Sequence, residues 1–344
     1  MKRSEFLKKA AILPILSAMP LNTEASTKRT RKSKKSVKFC VFADIHFRPG
    51  FPWDTVNTLK QILARAEKEN VNFVIECGDF CHNVNTASPM LDLYANFKKP
   101  TYHAIGNHDF ENVDSIEDVT KAYNMKDGNY YSFDVDNFRF IVLDTNYIKA
   151  ADGYKHSASA TNYEKCHQRN VCITPEQIEM LKEKLSTAKG PCALFSHHPL
   201  FYGVGGLANR NEVYDVINTY AKTPVMWVNG HQHRNSLKVL GSVAYFNVNT
   251  PTTDWLPKPH KLYPPELLKK HVHVKHSIIF DSPLSAIVTM YEDGTVKIDG
   301  MDGGFYMGIT REMTDNVKYD PDNLPCDPSI LSAKFKLAYP YKKG

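Results

Sequence analysis

The sequence lacks a long hydrophobic run at its N-terminal end, where a membrane anchor would be expected. The apolar stretch there covers residues 10–21 and is interrupted by Pro14 and Pro20. A helix that crosses a bilayer needs about 20 predominantly apolar residues. This absence excludes a helical anchor at that position, and we expect no stable membrane span once a leader is removed.

The sequence also lacks a surplus of positive charge beyond residue 36. Lys and Arg total 43 against 37 Asp and Glu, but residues 1–36 contain ten of the cations and two of the anions. The other 308 residues therefore carry 33 minus 35, or −2. Binding to a nucleic acid backbone depends on clustered cations. The balance argues against a nucleic acid partner and against a DNA nuclease.

Glycine is scarce and cysteine is odd in number. With 17 Gly in 344 residues and 42% hydrophobic residues, the chain is neither collagen-like nor disordered, and it can bury a substantial core. Of the seven cysteines, Cys40, Cys77 and Cys192 lie in apolar runs and are expected in that core. Cys166 and Cys172 lie in a polar insertion, where an oxidising compartment would allow a disulfide, and their pairing stays open.

The N-terminal segment has the layout of an export signal. Four Lys and Arg residues precede the apolar stretch, and small residues, among them Ala25, follow it. We expect a signal peptide over residues 1–25, a basic linker over residues 26–36, and export to the periplasm or the medium. Arg3 and Ser4 resemble a twin-arginine signal that lacks its second arginine, so the Sec route stays open. The alternative is a loosely packed N-terminal helix on a cytosolic protein.

From residue 37 onward, short apolar runs alternate with helical patterns. Leu59, Leu63 and Ala66 recur at helical spacing and predict a helix over residues 54–69. Thr174, followed by proline and then by Gln177, is typical of a capping box at a helix start. The alternation predicts an α/β fold with a sheet buried on both faces.

Five of the apolar runs end in Asp, Asn or His, and four of these ends lie beside Gly or Pro. The runs cover residues 37–43, 71–77, 101–105, 192–195 and 225–228, and they are followed respectively by Asp44 and His46, by Asp79, by Asn107 and His108, by His197, and by His231 and His233. In open α/β sheets, ligands bind beyond the carboxyl ends of the strands. We therefore expect these side chains to converge on one site.

The donors among these residues suit two metal ions better than one. Catalytic zinc sites take three protein ligands, and this chain offers seven. A mixed set of oxygen and nitrogen donors without thiolate favours Mn²⁺, Fe, Zn²⁺ or Co²⁺. Two ions about 3.5–4 Å apart stabilise both the attacking and the leaving oxygen in a displacement at phosphorus. The pattern predicts hydrolysis of a small-molecule phosphate ester.

The motifs D-x-H, G-D, G-N-H-D, H-x-P and G-H-x-H, in that order within residues 37–309, resemble the calcineurin-like metallophosphoesterase superfamily. The resemblance implies a four-layer αββα sandwich of two mixed β-sheets flanked by helices. It also implies two metal-binding sets that share Asp79, one of Asp44, His46, Asp79 and His233, and the other of Asp79, Asn107, His197 and His231.

The same resemblance suggests roles for the remaining site residues. His197, rather than His198, matches the ligand position two residues before the proline. His108 would contact the phosphate and protonate the leaving oxygen. Asp109 would orient the turn or a histidine. A hydroxide bridging the two metals would attack the phosphorus.

These inferences predict a phosphoesterase that acts on phosphodiesters or nucleotide pyrophosphates, since the G-N-H-D form is typical of the small-molecule diesterases. The alternative is a phosphomonoesterase or 5′-nucleotidase. A non-catalytic metal-binding scaffold is disfavoured because every ligand position is filled.

The catalytic domain is expected over residues 37–310 and a C-terminal extension over residues 311–344. Insertions at residues 146–173 and 251–281 are expected to shape the pocket. The oligomeric state stays open.

Overall fold

The computed structural model describes residues 35–111, 113, 115–157, 170–201, 206–256, 258–315 and 326–340. The predicted signal peptide, nearly all of the linker, and Cys166 lie outside these residues. The pairing of Cys166 with Cys172 therefore stays a prediction. The thiol of Cys172 donates a hydrogen bond to the carbonyl of Tyr147 at 3.3 Å.

The described residues form strands throughout the chain. They are β1 (Ser36–Phe42), β2 (Phe73–Cys77), β3 (Thr101–Ala104), β4 (Tyr131–Val135), β5 (Phe138–Val142), β6 (Tyr147–Ala150), β7 (Gly153–His156), β8 (Val171–Cys172), β9 (Cys192–Ser196), β10 (Val225–Asn229), β11 (Ser236–Leu240), β12 (Val243–Asn247), β13 (Thr253–Trp255), β14 (Ser277–Ile279), β15 (Ala286–Tyr291), β16 (Thr295–Asp299), β17 (Met301–Asp302), β18 (Ser329–Ile330) and β19 (Ala333–Lys336).

Helices connect many of these strands. They are α1 (Thr55–Lys68), α2 (Ser88–Ala95), α3 (Ile116–Ala122), α4 (Pro175–Thr187), α5 (Arg210–Tyr220), α6 (Pro265–Lys270) and α7 (Arg311–Asp315). The helix predicted over residues 54–69 is α1, and the side chain of Asp54 caps it by accepting a hydrogen bond from the Asn57 amide at 2.9 Å. The second predicted start is also confirmed, since Thr174 caps α4.

Two six-stranded mixed sheets form the centre of the protein. The first has the order β19-β16-β15-β1-β2-β3, in which β1, β2 and β3 run parallel. The second has the order β11-β12-β10-β9-β5-β4, in which β12, β10, β9 and β5 run parallel. Strand β19, from the segment predicted as a C-terminal extension, forms an edge of the first sheet. The neighbouring parallel strands of each sheet bring several carboxyl ends to one edge.

The two sheets pack face to face through aromatic side chains. The ring of Phe39 on β1 stacks on Phe73 of β2, with centroids 5.1 Å apart, and meets Phe195 of β9 edge-on at 5.6 Å. All three residues are buried. Such aromatic pairs add roughly 0.5–1.5 kcal/mol each beyond the area that they bury.

Helices cover the outer faces of both sheets. Leu59 and Ile62 of α1 share a buried cluster with Val74 of the first sheet. Leu181 of α4 shares another with Trp227 of the second sheet. The predicted four-layer αββα sandwich is therefore confirmed. Within the described part of the chain, no helix has the length and apolar character needed to cross a membrane.

Candidate metal centre

The loops that follow β1 and β2 are joined by their backbones. The amide of Asp44 donates to the carbonyl of Gly78, and the amide of His46 donates to the carbonyl of Asp79, both at 2.9 Å. These bonds continue the pairing of the two parallel strands past their ends. As a result, the side chains of both loops are held at the same edge of the first sheet.

The backbone at the predicted ligands has an uncommon conformation. Positive φ angles between 50° and 69° occur at Asp44, His46, Asp79, His231 and His233. The left-handed region costs roughly 1–2 kcal/mol for a residue with a Cβ atom, although Asp and His adopt it more often than most. Non-glycine residues held in this region cluster at functional sites. The surrounding structure therefore holds these five residues in an unfavourable backbone conformation that determines the direction of their side chains.

The first group of potential ligands consists of Asp44, His46, Asp79 and His233, and all four are buried. The Nε2 atoms of His46 and His233 lie 3.0 Å apart. His233 Nε2 lies 3.2 Å from Asp44 Oδ1, and His46 Nε2 lies 3.7 Å from Asp79 Oδ2. The structure thus brings together the four side chains that the resemblance assigns to one metal.

The second predicted set meets on the other side of Asp79. His197 Nε2 lies 3.1 Å from Asp79 Oδ2 and 3.0 Å from Asn107 Oδ1. His231 Nδ1 lies 3.1 Å from His197 Nε2. The same oxygen of Asp79 is therefore close to a nitrogen donor of each set. This is the arrangement that a bridging carboxylate requires.

Backbone carbonyls orient two of the histidine rings. Nδ1 of His197 lies 3.0 Å from the carbonyl oxygen of Cys77, and Nδ1 of His233 is hydrogen-bonded to the carbonyl of Thr253. Because a carbonyl accepts only, each Nδ1 carries a proton, and Nε2 is the atom of each ring that would donate an electron pair to a bound metal. This is the usual arrangement around histidines that bind metals.

The electrostatics of the site fit cationic metals. Asp44 and Asp79 are at most 1% exposed, and a buried carboxylate needs a compensating charge. Burial acts to raise the pKa of Asp79, but His197 and His108 outweigh burial and hold the pKa well below its ordinary value. Burial acts to lower the pKa of His197, whereas Asp79 raises it to about 9. The donors and charges fit divalent ions, although their role as metal ligands stays a prediction.

His198 also lies in this region, but its ring is held differently. Nδ1 of His198 lies 2.9 Å from the hydroxyl of Thr145, and its ring centroid is 4.4 Å from that of His231. Among the described residues, His197, His198 and His231 form a further group of potential ligand atoms. Nε2 of His197 lies 3.1 Å from Asp79 Oδ2. This contact supports the prediction that His197, rather than His198, is the metal ligand.

His108 lies beside the shared carboxylate, and its backbone amide donates to Asp79 Oδ1 at 2.7 Å. Its ring is 5.0 Å from the ring of His46, measured between centroids. Burial acts to lower the pKa of His108, but Asp79 and Glu111 raise it above its ordinary value. His108 therefore lies beside the predicted metal ligands His46 and Asp79, and its contact with a phosphate stays a prediction.

Glu111 is a residue of the site that the sequence pattern did not indicate. Its Oε1 lies 2.6 Å from Nδ1 of His108, and its Oε2 lies 3.1 Å from Nδ1 of His82. Burial acts to raise the pKa of Glu111, but the hydrogen bonds with His108 and His82 lower it to about 2. The ionised carboxylate therefore accepts from both rings. The sequence feature that could have indicated this contact is the spacing of three residues between His108 and Glu111.

The contacts of His82 continue to the first ligand group. Nε2 of His82 lies 3.1 Å from Nδ1 of His46. Because Nδ1 of His82 donates to Glu111, its Nε2 accepts from Nδ1 of His46 when the His82 ring is neutral. Nε2 of His46 is then the atom that faces the metal position. Glu111 thus orients His108 directly and His46 through His82.

Asp109 holds the G-N-H-D turn, as the sequence predicts for a residue that orients its neighbours. Its carboxylate accepts from the amides of Asp79 at 3.0 Å, Gly106 at 2.7 Å and Cys81 at 3.1 Å, and from the hydroxyl of Tyr123 at 2.6 Å. Asp109 is fully buried. Its four hydrogen bonds tie the loop after β2 to the loop after β3.

Two motif glycines leave room for the ligands. A Cβ atom at Gly78, where φ is +92°, would overlap the ring of His197. A Cβ atom at Gly106 would overlap the backbone and the carboxylate of Asp79. The absence of these side chains lets the loops approach each other closely enough for Asp79 to reach both donor groups.

The fold and this site define a metal-dependent hydrolase of phosphoester bonds. The family model for calcineurin-like phosphoesterases matches residues 37–235, which is more than half of the chain. The chain belongs to the calcineurin-like phosphoesterase family.

Several known proteins are similar to this chain. The 3′,5′-cyclic adenosine monophosphate phosphodiesterase CpdA of Pseudomonas aeruginosa is 23% identical over 210 residues, which cover 55% of this chain and 67% of that protein. A dimetal phosphatase from Danio rerio matches with a TM-score of 0.54 and 15% identity, over 78% of this chain and 96% of its own. PhoD matches with a TM-score of 0.50 and 14% identity, over 88% and 68%. The structural matches demonstrate the fold alone.

Proposed function

We propose that this protein hydrolyses small-molecule phosphodiesters or nucleotide pyrophosphates at a centre of two divalent metal ions. The observation that carries the proposal is the position of Asp79 Oδ2, 3.1 Å from His197 Nε2 and 3.7 Å from His46 Nε2. One carboxylate oxygen is thus shared by two donor sets. The sets are Asp44, His46, Asp79 and His233, and Asp79, Asn107, His197 and His231.

The two ions, drawn from Mn, Fe, Zn or Co, would neutralise charge on the phosphoryl group and lower the pKa of a coordinated water. The protein contributes rigid geometry. Each ligand follows directly on a buried strand, and carbonyls fix the rings of His197 and His233. Preorganised donors of this kind need little rearrangement when the charge on the phosphate changes.

His108 is the proposed general acid. Glu111 Oε1 accepts from its Nδ1 at 2.6 Å, and Nε2 is the nitrogen that we propose contacts the substrate. From there it would stabilise the charge of the phosphate and donate a proton to the oxygen of the leaving alcohol. Proton transfer from a positioned side chain contributes typically 10²–10⁴-fold to the rate.

Two observations favour phosphodiesters over monoesters. The turn carries Asp109 after His108, the G-N-H-D form of the small-molecule diesterases. The similar protein from Pseudomonas aeruginosa is by name a cyclic nucleotide phosphodiesterase, and this likeness supports a diester substrate here. A phosphomonoesterase or 5′-nucleotidase activity is the alternative.

A substrate panel with metal-loaded protein tests the proposal. The protein is stripped with a chelator and reloaded separately with Mn²⁺, Fe²⁺, Zn²⁺ or Co²⁺. Each form is then assayed with bis(p-nitrophenyl) phosphate, p-nitrophenyl phosphate, a cyclic nucleotide and a nucleotide sugar. We expect the highest kcat/KM on a diester or a pyrophosphate. A higher kcat/KM on the monoester would favour the alternative, and the absence of turnover with every metal would contradict both.

A further inference from the structure

A cavity lies between the loop that follows β1 and the chain at the end of α6. Its volume is about 220 Å³, far more than the roughly 10–15 Å³ that one water molecule needs. The residues whose chemistry matters here are Arg48, Phe51, Trp53, Lys270, His271 and His273.

The lining of this cavity carries charge of one sign. Arg48 and Lys270 are cations, His271 and His273 add two titratable rings, and none of the described residues that line the cavity is acidic. The carboxylate nearest in sequence, Asp54, is engaged as the cap of α1. A concave surface with cations from two separate loops attracts anions and focuses their charge.

The cavity adjoins the candidate metal centre through aromatic rings. Arg48 is two residues beyond His46 in the chain. The ring of Phe51 lies 6.0 Å from that of His82, which in turn lies 5.1 Å from that of His46, between centroids. The Phe51 side of the cavity is therefore one ring, that of His82, away from the predicted metal ligand His46.

The walls of the cavity are anchored to the fold. Trp53 and Val274 are buried in one apolar cluster with Tyr263 and Ile279. The guanidinium of Arg48 lies 5.2 Å from the centre of the Phe51 ring, a cation–π contact that limits the positions of its head group. The insertion at residues 251–281 thus supplies one wall of a built cavity.

We infer that this cavity, which we call the basic pocket, binds a second phosphate group on the alcohol portion of the substrate. The substrate class is then a phosphodiester that carries a further phosphate, such as a phosphorylated nucleoside ester. The inference rests on the proposed function. Arg48 would take this phosphate through its planar fork of N–H donors, and Lys270 as a point charge.

Two substrates that differ only in the second phosphate test the inference. They are thymidine 5′-(p-nitrophenyl phosphate) and the same ester with a 3′-phosphate, so the scissile bond and the leaving group are identical. With the metal-loaded full chain, we expect kcat/KM about tenfold higher for the 3′-phosphorylated ester. A charge-assisted contact of this kind corresponds to a factor of that order.

Single variants locate the effect. We expect Arg48→Gln and Lys270→Gln each to reduce the preference for the 3′-phosphorylated ester to about threefold or less, and to change kcat/KM for the other ester less than about twofold. Lys269→Gln is the matched control, since Lys269 is exposed on the same helix but does not line the cavity. It should keep the full preference.

The outcomes distinguish failure of the basic pocket from failure of the proposed phosphodiesterase function. Equal kcat/KM for both esters in the wild-type protein overturns the basic pocket while leaving the proposed function intact. A preference that survives both Arg48→Gln and Lys270→Gln, or that Lys269→Gln removes equally, also overturns it. If neither ester is cleaved with any metal, the proposed function fails, and the basic pocket fails with it.

Discussion

At the scale of single residues, the roles of the site side chains depend on their second contacts. A single oxygen of Asp79 lies near a histidine nitrogen of each donor set. His108 and His46 are each oriented through their Nδ1 atoms, one by Glu111 and the other by His82. Replacement of partners of this kind typically costs about 10–100-fold in metal affinity or activity.

Asp79→Asn should reduce hydrolysis by orders of magnitude. The amide keeps the shape of the side chain but removes the negative charge that two cations would share. Metal analysis of the purified variant should show less than two ions per chain, and kcat should fall at least about 10³-fold. Asp92→Asn, an exposed change on α2, is the matched control and should behave as the wild-type protein. Near wild-type turnover with full metal content in Asp79→Asn would refute a bridging role.

His108→Ala and Glu111→Gln should share one pattern. Both should retain metal, and both should slow substrates with poor leaving groups more than p-nitrophenyl esters, because a stable leaving anion needs no proton. We expect a loss of about 10²-fold or more for His108→Ala and a smaller loss for Glu111→Gln. If Glu111 acts through His108, the double variant should be no slower than His108→Ala. The measurement is kcat for a series of substrates whose leaving groups differ in pKa. If the losses of the two single variants instead add in the double variant, Glu111 does not act through His108.

At the scale of elements, a helix side chain fastens the loop after β5, the strand that pairs with the site-bearing strand β9. Gln177 of α4 is fully buried. Its Oε1 accepts from the amide of Asp144 and its Nε2 donates to the carbonyl of Asp144, both at 2.9 Å, just beyond the end of β5. The sequence predicted Thr174 and Gln177 as a capping box. Thr174 is the cap, but the side chain of Gln177 binds the loop after β5.

Gln177→Ala should therefore lower the free energy of unfolding by about 2–3 kcal/mol. The change leaves the amide and the carbonyl of Asp144 without these partners in a buried position, and each such group costs roughly 1–3 kcal/mol. Urea unfolding followed by circular dichroism measures the difference. Glu179→Ala, at an exposed position of the same helix, controls for helix propensity and should change the free energy by less than about 0.5 kcal/mol. If Gln177→Ala and Glu179→Ala lowered the free energy of unfolding equally, the stabilising role of the Gln177–Asp144 hydrogen bonds would be contradicted.

At the scale of the whole molecule, the site joins two sheets through buried charge. Ligands follow β1, β2 and β3 of the first sheet and β9 and β10 of the second. Asp44 Oδ2 accepts from the amide of His231 at 3.0 Å, which links the two sheets directly. Bound cations would strengthen this junction, so metal content should affect the stability of the whole fold.

Removal of metal with EDTA should lower the Tm. Ions that bind the native but not the unfolded chain add RT ln(1 + [L]/Kd), about 2.7 kcal/mol at a hundredfold excess over Kd. Scanning calorimetry before chelation, after chelation and after reloading tests this, with loss and recovery as the expected result. Asp79→Asn is the control and should respond less. An unchanged Tm in the wild-type protein would mean that the ions bind too weakly to form the proposed centre.

We also propose that the chain is exported, because its cationic N-terminal segment has the layout of a signal peptide. Expression with a C-terminal tag in a Gram-negative host should then place the protein in the periplasm, with an intact mass that corresponds to cleavage after residue 25. Arg3→Gln separates the routes, since loss of export would favour the twin-arginine pathway. Retention of full-length protein in the cytoplasm would contradict export by either route.

The sequence by itself determined the family, the layered fold and the set of candidate ligands. The reason is that these features are local. Each ligand closely follows a strand whose last residues are buried, so that Asp44 and Asn107 could be placed at sheet edges from their immediate neighbours. Glycines beside the ligands were recognisable for the same reason.

Only the tertiary structure decided which distant side chains meet. His82 and Glu111 are 29 residues apart in the chain, and no periodicity connects them. The basic pocket forms because the segment around Lys270 folds beside Arg48, which packing alone determines. Contacts between loops depend on the arrangement of all the strands that carry them, and that arrangement is a property of the whole sandwich.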